Sequence, residues 1–410
     1  MPWALLIFLT IVNILNYFDR YIVQAVEPYL KSEFQVSNTE SAILGGAFVL
    51  GYFIFSPLFG FLGDRKDRRV LMGIGLLAWS LSTALTGFST GLISFVLARS
   101  LVGIGEASFG AIVPGYLKGR VSDPLALNNA LSIFYVAIPV GAALGFIAGG
   151  EIAGVWGWRS VFLLAAIPGV LLTTGFLRLA PEQRMERVAE ASSFGFWEGV
   201  GRIFRSRDLT LVILGYILNT FALNGIAMFI VRHGMSLGLE ESLVSSTFGI
   251  ILAVTGFVGA LGGGIMASKF AATVHNDNKV RGLLIFVSVT TLLGAPFLGA
   301  AFIAKSPLWF FASCFVAQIA LFAGVAPLNS VLVERAPAGL QTLTQGVTIF
   351  MIQLFGSLMG PIVIGKVADR LQSMALVTSE QAALALALQV ATLAMVLSGI
   401  LWFGASRRTE

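Results

Sequence analysis

Charged side chains are scarce in this sequence. Lysine, arginine, aspartate and glutamate make up 11% of its 410 residues, whereas hydrophobic residues make up 57% and the mean hydropathy is +0.88. Soluble domains carry about 25% charged residues, so this composition excludes an ordinary soluble protein and predicts one embedded in a membrane. The one cysteine, Cys314, excludes an intrachain disulfide, and the apolar sequence around it predicts a buried thiol.

Long polar stretches are also few, and they separate twelve apolar segments. Each segment has the roughly 20 residues that an α-helix needs to cross about 30 Å of hydrocarbon. The sequence therefore predicts an all-α membrane protein with twelve transmembrane helices, termed spans one to twelve, at residues 3–30, 41–62, 70–90, 92–117, 128–151, 158–179, 209–232, 243–267, 281–303, 307–334, 340–368 and 381–406.

The basic residues are distributed unevenly between the two sides of the membrane. If the amino terminus is cytoplasmic, 18 of the 26 lysines and arginines fall on the cytoplasmic side. Because cytoplasmic loops of membrane proteins are typically rich in positive charge, both termini are expected in the cytoplasm. This distribution accounts for the formal net charge of +5 without a nucleic-acid partner. The first segment carries charges, so it is expected to be a retained helix and not a signal peptide.

The longest polar stretch, residues 180–208, separates six spans from six. Its arginines, glutamates and aromatic residues predict an amphipathic helix at the inner membrane face, with a solvated linker as the alternative. We expect a six-helix bundle at 1–179, a cytoplasmic linker at 180–208 and a second bundle at 209–410. The bundles resemble weak copies of each other, because Ile14-Leu15-Asn16 recurs as Ile217-Leu218-Asn219 and the glycines at 141, 145 and 149 recur at 356 and 360.

Four ionisable side chains lie inside predicted spans: Asp19 and Arg20 in span one, Arg99 and Glu106 in span four. A charge at bilayer depth costs at least about 2.5 kcal/mol, so such residues are usually functional. Helical spacing places Asn16, Asp19 and Arg20 on one face of span one. It places Arg99 and Glu106 on one face of span four. If these faces meet, the cluster carries no net charge, and an acid with two alternative environments can bind and release a proton. A static ion pair that joins two helices is the alternative.

The loop between spans two and three reads GFLGDRKDRR at residues 60–69. Gly60 permits close helix contact, Asp64 is placed to accept hydrogen bonds from the first amides of the next helix, and Arg65 and Arg68 hold the loop at the inner surface. An ordinary loop with cytoplasmic charge is the alternative. The pattern resembles the loop signature of the major facilitator superfamily. That resemblance implies two pseudo-symmetric six-helix bundles, and it implies that this loop latches helices in an outward-facing state.

Four stretches of the first half resemble the spinster family within that superfamily: NYFDR at 16–20, the loop at 60–69, ARSLVGIGEAS at 98–108 and LSIFYVAIPVGAALGFIAGG at 131–150. The resemblance implies a bacterial inner-membrane transporter that moves lysophospholipids or sphingoid-type lipids by proton-coupled alternating access. It further implies that Asp19 and Glu106 are protonated, with Arg20 and Arg99 as charge partners or headgroup contacts. The proton gradient would drive transport without a cofactor or an enzymatic step, and the superfamily implies a working monomer.

An amphipathic lipid needs polar contacts for its headgroup and an apolar wall for its chain. The residues expected to line such a cavity are Asn16, Phe134, Tyr135, Asn219, Phe221, Asn224, Met228, Phe229, Gln345 and Phe350. Contact with membrane lipid or with a neighbouring helix is the competing explanation for each. A proton-coupled exporter of drug-like amphipathic molecules is the alternative function. An intramembrane aspartyl hydrolase would need two acids that share one proton, whereas here the acids come with equal numbers of arginines.

Overall fold

The computed structural model of the chain describes residues 3–36, 38–178, 195–274, 278–374, 377 and 379–407. Within these ranges the regular structure is helical throughout. Spans one to six are Trp3–Phe34, Asn38–Gly63, Arg68–Gly87, Leu92–Lys118, Pro124–Tyr135 continued by Ala137–Trp156, and Trp158–Arg178. Spans seven to twelve are Arg207–Met235, Glu241–Phe257 continued by Val258–Gly263 and Gly264–Val274, Lys279–Ile303, Pro307–Ala323 continued by Val325–Arg335, Gln341–Met351 continued by Ile352–Leu358 and Met359–Ser373, and Glu380–Ser406.

Twelve helical segments of the described chain are long and apolar enough to cross a membrane, which confirms the predicted all-α membrane architecture. The helices extend beyond the predicted segments most clearly in spans five, eight and eleven. Span five begins at Pro124, a residue suited to the first turn of a helix, and spans eight and eleven run on to Val274 and Ser373. Hydropathy detects only the part of a helix that lies in hydrocarbon, so it underestimates helices that continue into polar surroundings.

The helices pack into two compact units. The first comprises Met1–Asp123, Ile133–Ile203 and Val333–Phe350, and the second comprises Pro124–Ser132, Phe204–Leu332 and Met351–Glu410. Each unit therefore contains most of one predicted bundle and a short segment from the other half of the sequence. Most of the predicted linker lies outside the described residues, and the division at 1–179, 180–208 and 209–410 stays a prediction.

Glycines set the distance between spans one and five in the first unit. A methyl group built on Gly141 would stand 2.6 Å from the carbonyl oxygen of Ile14, and one built on Gly145 would stand 2.9 Å from that of Phe18. Distances below about 3 Å are too short for a real side chain. The two helix backbones therefore touch directly, as is typical of membrane helices that carry small residues at their contact.

Spans seven and eleven repeat this contact in the second unit. Gly356 lies against the carbonyl oxygen of Ile217, and Gly360 lies against that of Phe221. Ile217 and Phe221 each lie 203 residues after the corresponding residue of span one. Gly356 and Gly360 each lie 215 residues after the corresponding glycine of span five. This shared register confirms the internal repeat that the sequence predicts.

A ten-residue helix, Phe196–Arg205, lies within the predicted linker. Its inner side packs on the first unit: the ring of Phe196 lies 5.5 Å from that of Phe61, and a methyl group on Gly199 would stand 2.7 Å from the side chain of Leu343. Trp197 is 80% exposed on the other side. This linker helix therefore packs directly on the residues that begin span eleven.

Two spans of the second half contain π-helical turns, at Val258–Gly263 in span eight and Ile352–Leu358 in span eleven. Each turn holds glycine at a helix contact, with Gly263 against Ala323 of span ten and Gly356 against span seven. A π turn adds one residue to the α-helical register and is frequent at functional sites. Apolar periodicity contains no signal that predicts such a turn.

Candidate functional site

The four charged side chains that the sequence singles out are neighbours in the first unit. Asp19 and Arg99 are 1% exposed, Glu106 is 0% exposed, and the side chain of Arg20 is 14% exposed. Burial of an unpaired charge is very costly, so the partners of each group decide what the cluster can do.

Arg20 and Glu106 form a direct ion pair between spans one and four. Nε of Arg20 donates to Oε2 of Glu106 at 2.8 Å. The side chain of Asn16, one turn before Arg20, faces the same carboxylate. The spacing of Asn16 and Arg20 in the sequence therefore directs both residues at one acid.

Three aromatic rings surround the guanidinium of Arg20. Its central carbon lies 4.7 Å from the ring centre of Tyr17, 4.8 Å from that of Phe48 and 4.5 Å from that of Tyr52. Cation–π contacts contribute roughly 0.5–2 kcal/mol, with the larger values where water is excluded. Arg20 thus has a carboxylate and three π faces around it, an environment suited to a permanent cation.

Asp19 has different surroundings. Oγ1 of Thr83, on span three, donates to Oδ2 of Asp19 at 3.1 Å. Nη2 of Arg99 donates at 3.0 Å to the main-chain carbonyl oxygen of Asp19 and not to its carboxylate. Asp19 is therefore close to a cation but bonded through its side chain to a neutral hydroxyl.

Both acids keep one carboxylate oxygen without a hydrogen-bond partner in the part of the chain that the structure describes. These atoms are Oδ1 of Asp19 and Oε1 of Glu106, and the same holds for Nε and Nη1 of Arg99. Buried polar atoms are nearly always paired, and exceptions often mark functional sites. Asp19 can accept a proton without the loss of an ion pair, whereas protonation of Glu106 would break its pair with Arg20.

The carboxylate of Asp64, in the loop after span two, binds the beginning of span eleven. Its Oδ1 accepts from the backbone N–H of Thr342 at 3.0 Å, and its Oδ2 accepts from that of Leu343 at 2.9 Å. The predicted chemistry, a carboxylate at the amino end of a helix, is right, but the predicted helix is wrong. Span three is capped by Asp67 instead, which accepts from the backbone N–H of Arg69.

Arg68 and Gly60 complete the contact around Asp64. Nη2 of Arg68 lies 3.2 Å from Oδ1 of Asp64, and its Nη1 donates to the carbonyl oxygen of Gly115 at 2.9 Å. The hydroxyl of Thr342 donates to the carbonyl oxygen of Gly60 at 2.5 Å. Any side chain at Gly60 would collide with the backbone of Thr342. The structure therefore brings together three of the four predicted latch residues.

Arg65, the fourth, lies close enough to Asp64 for their charges to attract. Its guanidinium covers the ring of Phe61 at 3.6 Å, and partial burial lowers its pKa. Burial also raises the pKa of the Asp64 carboxyl, whereas a hydrogen bond from Arg69 lowers the pKa of the more exposed Asp67. Burial thus opposes ionisation of Asp64, while its hydrogen-bond partners and Arg68 favour it.

Half of the predicted cavity residues belong to the first unit: Asn16, Phe134, Tyr135, Gln345 and Phe350. Asn16, Phe134 and Gln345 are at most 3% exposed. The ring of Phe134 lies between those of Phe109 and Tyr135, and the ring of Phe350 lies 5.6 Å from that of Phe53. The side chains of Asn16, Phe134 and Gln345 are therefore buried in this conformation, and substrate contact stays a prediction.

The other half belong to the second unit: Asn219, Phe221, Asn224, Met228 and Phe229. Phe221 and Phe229 pack against its buried core, and Met228 is 67% exposed. Asn224 donates to the carbonyl oxygen of Thr220 in its own helix at 3.1 Å. Asn219 is 5% exposed, and its amide oxygen has no partner within the described residues. These five residues do not share one environment.

Sequence reasoning missed several residues around the charges. Phe48, Tyr52 and Thr83 are uncharged members of spans two and three, so neither charge nor spacing distinguishes them. It also missed an ion pair between Lys118 and Glu334, whose Nζ and Oε2 lie 2.6 Å apart in the first unit. Opposite charges near the ends of spans four and ten were the available signal.

Comparison with known proteins gives the family. The model of the major facilitator superfamily matches residues 9–361. Human protein spinster homolog 1 is 31% identical over 391 residues, which cover 88% of this chain and 72% of that protein. The chain belongs to the spinster family of this superfamily. The predicted resemblance is confirmed, and another spinster relative, a probable sphingolipid transporter (spinster homolog 1) of Arabidopsis thaliana, is 28% identical over 91% of this chain and 84% of its own length.

Solved structures show the same fold. A bacterial homolog of the human lysosomal transporter Spinster, in an inward-facing and unoccupied conformation, is 22% identical, with a TM-score of 0.63 and coverage of 98% of this spinster chain and 96% of its own. The transporter FucP in its outward conformation is 14% identical, with a TM-score of 0.78 and coverage of 98% of both chains. At these identities the likeness establishes the fold.

Proposed function

We propose that this spinster-family chain is a proton-coupled secondary transporter that moves lysophospholipids or sphingoid-type lipids by alternating access. Membership of a transporter family supports transport, and the relatives named as probable sphingolipid transporters support a lipid substrate. Proton coupling is carried by one observation: two buried acids, each with an unpartnered oxygen, lie beside two arginines in one unit.

The charges of the cluster provide a way to couple protons to a headgroup. With both acids ionised, the two acids and two arginines carry no net charge. Uptake of a proton by Asp19 leaves one excess positive charge, which favours an anionic phosphate. Because Arg99 is 1% exposed, contact with a headgroup requires the cluster to open, and Arg20 would have to leave its aromatic surroundings. We therefore assign proton binding first to Asp19 and charge pairing to Arg20 and Glu106.

The loop contact provides the conformational part of the proposal. Asp64 holds two amides at the start of span eleven, and that bond must break whenever the loop and this helix separate. We assign to Asp64, Arg68 and Gly60 the role of a latch on one state of the cycle. Further parts of the proposal are an inner-membrane location with both termini cytoplasmic, a functional monomer, and transport driven by the proton gradient without a cofactor.

Reconstitution of the purified chain in proteoliposomes tests this function. A pH step is imposed, and the movement of a lysophospholipid, a sphingoid phosphate and a cationic dye is compared with that in empty liposomes. The proposal predicts pH-dependent movement of at least one of the lipids and loss of that dependence in Asp19→Asn. Movement of the dye without either lipid would favour the drug-like exporter, and lipid movement indifferent to pH in the wild type would refute proton coupling.

A further inference from the structure

The hydroxyl of Thr83 donates to a different kind of acceptor from the hydroxyls of its neighbours in span three. A hydroxyl inside a helix usually donates to a carbonyl of the preceding turn, and two neighbours do so: Ser82 donates to Ala78 and Thr86 donates to Ser82. Thr83 donates instead across the unit, to Oδ2 of Asp19 at 3.1 Å. A hydroxyl has one proton to donate, so this bond excludes the local one.

The position of Thr83 leaves little room for a substitute donor. Its side chain is 0% exposed, and the remaining oxygen of Asp19 has no partner in the described segments. The charged groups that face Asp19 are Arg99 and Glu106, both on span four. Arg99 donates to the main chain of Asp19, and Glu106 is paired with Arg20. The direct hydrogen bond to the carboxylate therefore comes from Thr83.

We infer that Thr83 is a positioning residue that sets the pH at which Asp19 binds its proton. The inference rests on the proposed function, because it acts through Asp19 as the proton carrier. A hydroxyl that donates to a carboxylate favours the ionised form, and its removal lets the acid keep its proton to higher pH. The bond also fixes one rotamer of Asp19, so span three is linked to the charge state of span one.

The expected effect of removing the hydroxyl is a shift in a titration and not a general loss of activity. A hydrogen bond to a charged group is strong enough to change proton affinity by about ten-fold, which is about one pH unit. Thr83→Val keeps the shape of the side chain, and Thr83→Ala removes the hydroxyl without β-branching. Thr83→Ser retains the donor. Thr86→Val is the matched control, because Thr86 is equally buried in the same helix but bonds only its own backbone.

Infrared spectroscopy of the full chain in lipid membranes measures this shift without a substrate. The carbonyl stretching band of a protonated carboxylic acid is followed as pH changes, and the component missing in Asp19→Asn belongs to Asp19. We expect its midpoint to move up by about one pH unit in Thr83→Val and Thr83→Ala and to stay in place in Thr83→Ser and Thr86→Val. The pH profile of transport in proteoliposomes should move in the same direction.

The outcomes separate the two proposals. If Asp19→Asn removes a titrating band but neither Thr83→Val nor Thr83→Ala moves its midpoint, the inference is wrong and the proposed function stands. An equal shift in Thr86→Val would also overturn the inference, because it would show a general packing effect. If no component of the band depends on Asp19 at any accessible pH, Asp19 is not a proton carrier and both proposals are wrong.

Discussion

The two buried acids should respond differently to neutralisation. Glu106→Gln removes the carboxylate that lies 2.8 Å from Nε of Arg20, and it leaves a guanidinium that is 14% exposed without its counter-ion. Asp19→Asn removes a charge whose side chain is bonded to the hydroxyl of Thr83. We therefore expect Asp19→Asn to fold with near wild-type stability while proton coupling is lost, and Glu106→Gln to be less stable.

The size of the difference follows from the geometry of the pair. Two charges 2.8 Å apart attract by about 6 kcal/mol at an effective dielectric constant of about 20, and desolvation offsets much of this. Removal of one partner from a buried pair typically costs about 3–5 kcal/mol. Three aromatic rings remain around Arg20, and their cation–π contacts of roughly 0.5–2 kcal/mol offset part of the lost stability. We expect a loss of about 2–4 kcal/mol for Glu106→Gln, against about 1 kcal/mol for Asp19→Asn.

Thermal unfolding in detergent, followed by size-exclusion chromatography, measures the order of stability. Glu106→Gln should unfold at a lower temperature than Asp19→Asn, and the double variant Arg20→Met/Glu106→Gln should recover much of the difference because it removes both charges. Equal melting of the two single variants would refute the assigned pairing. So would a double variant that is less stable than Glu106→Gln alone, since the Arg20 charge would then not be the cause.

Three contacts elsewhere give further predictions. Asp64→Asn should weaken the hydrogen bonds to the start of span eleven by about 2 kcal/mol, so the first amides of that helix should exchange hydrogen for deuterium faster, and unchanged protection would contradict the contact. Lys118→Glu should lower the melting temperature by an amount equivalent to about 1 kcal/mol, and the swap Lys118→Glu/Glu334→Lys should restore it, most clearly at low salt. Gly141→Ala should cost about 1–3 kcal/mol of stability, whereas Gly150→Ala, which meets nothing within 4 Å, should be neutral; equal effects would show that the close helix contact is not needed.

Composition and local pattern were sufficient for the fold. A stretch of some 20 mostly apolar residues defines a span by physics alone, so all twelve spans could be predicted, including spans one and four, which each hold charged residues. The recurrence of Ile14-Leu15-Asn16 as Ile217-Leu218-Asn219 was a weak signal, but the structure shows why it persists: the same carbonyls, those of Ile14 and Ile217, meet glycines in both units. The repeated residues therefore mark helix contacts that both units share.

The charged residues of the site could be predicted from the sequence, but the pairs that they form could not. Buried charges are rare enough that Asp19, Arg20, Arg99 and Glu106 stand out by type. Which of them pair depends on helix rotation and side-chain rotamers, and one sequence determines neither. The backbone amides that Asp64 binds are 278 and 279 residues away, and Thr83 resembles any other threonine in a span. Neutral partners and distant amides give no local signal.

The π turn at Ile352–Leu358 has a mechanical consequence for span eleven. If the extra residue of a π turn joined the regular α-helix, the helix would lengthen by about 1.5 Å and every residue beyond the turn would rotate by about 100°. These are the rise and the rotation that each residue of an α-helix contributes. Conversion of this turn to regular geometry would swing Gly360 away from the carbonyl of Phe221 and bring a bulkier residue against span seven. The close fit of Gly360 to span seven therefore depends on the π turn that precedes it.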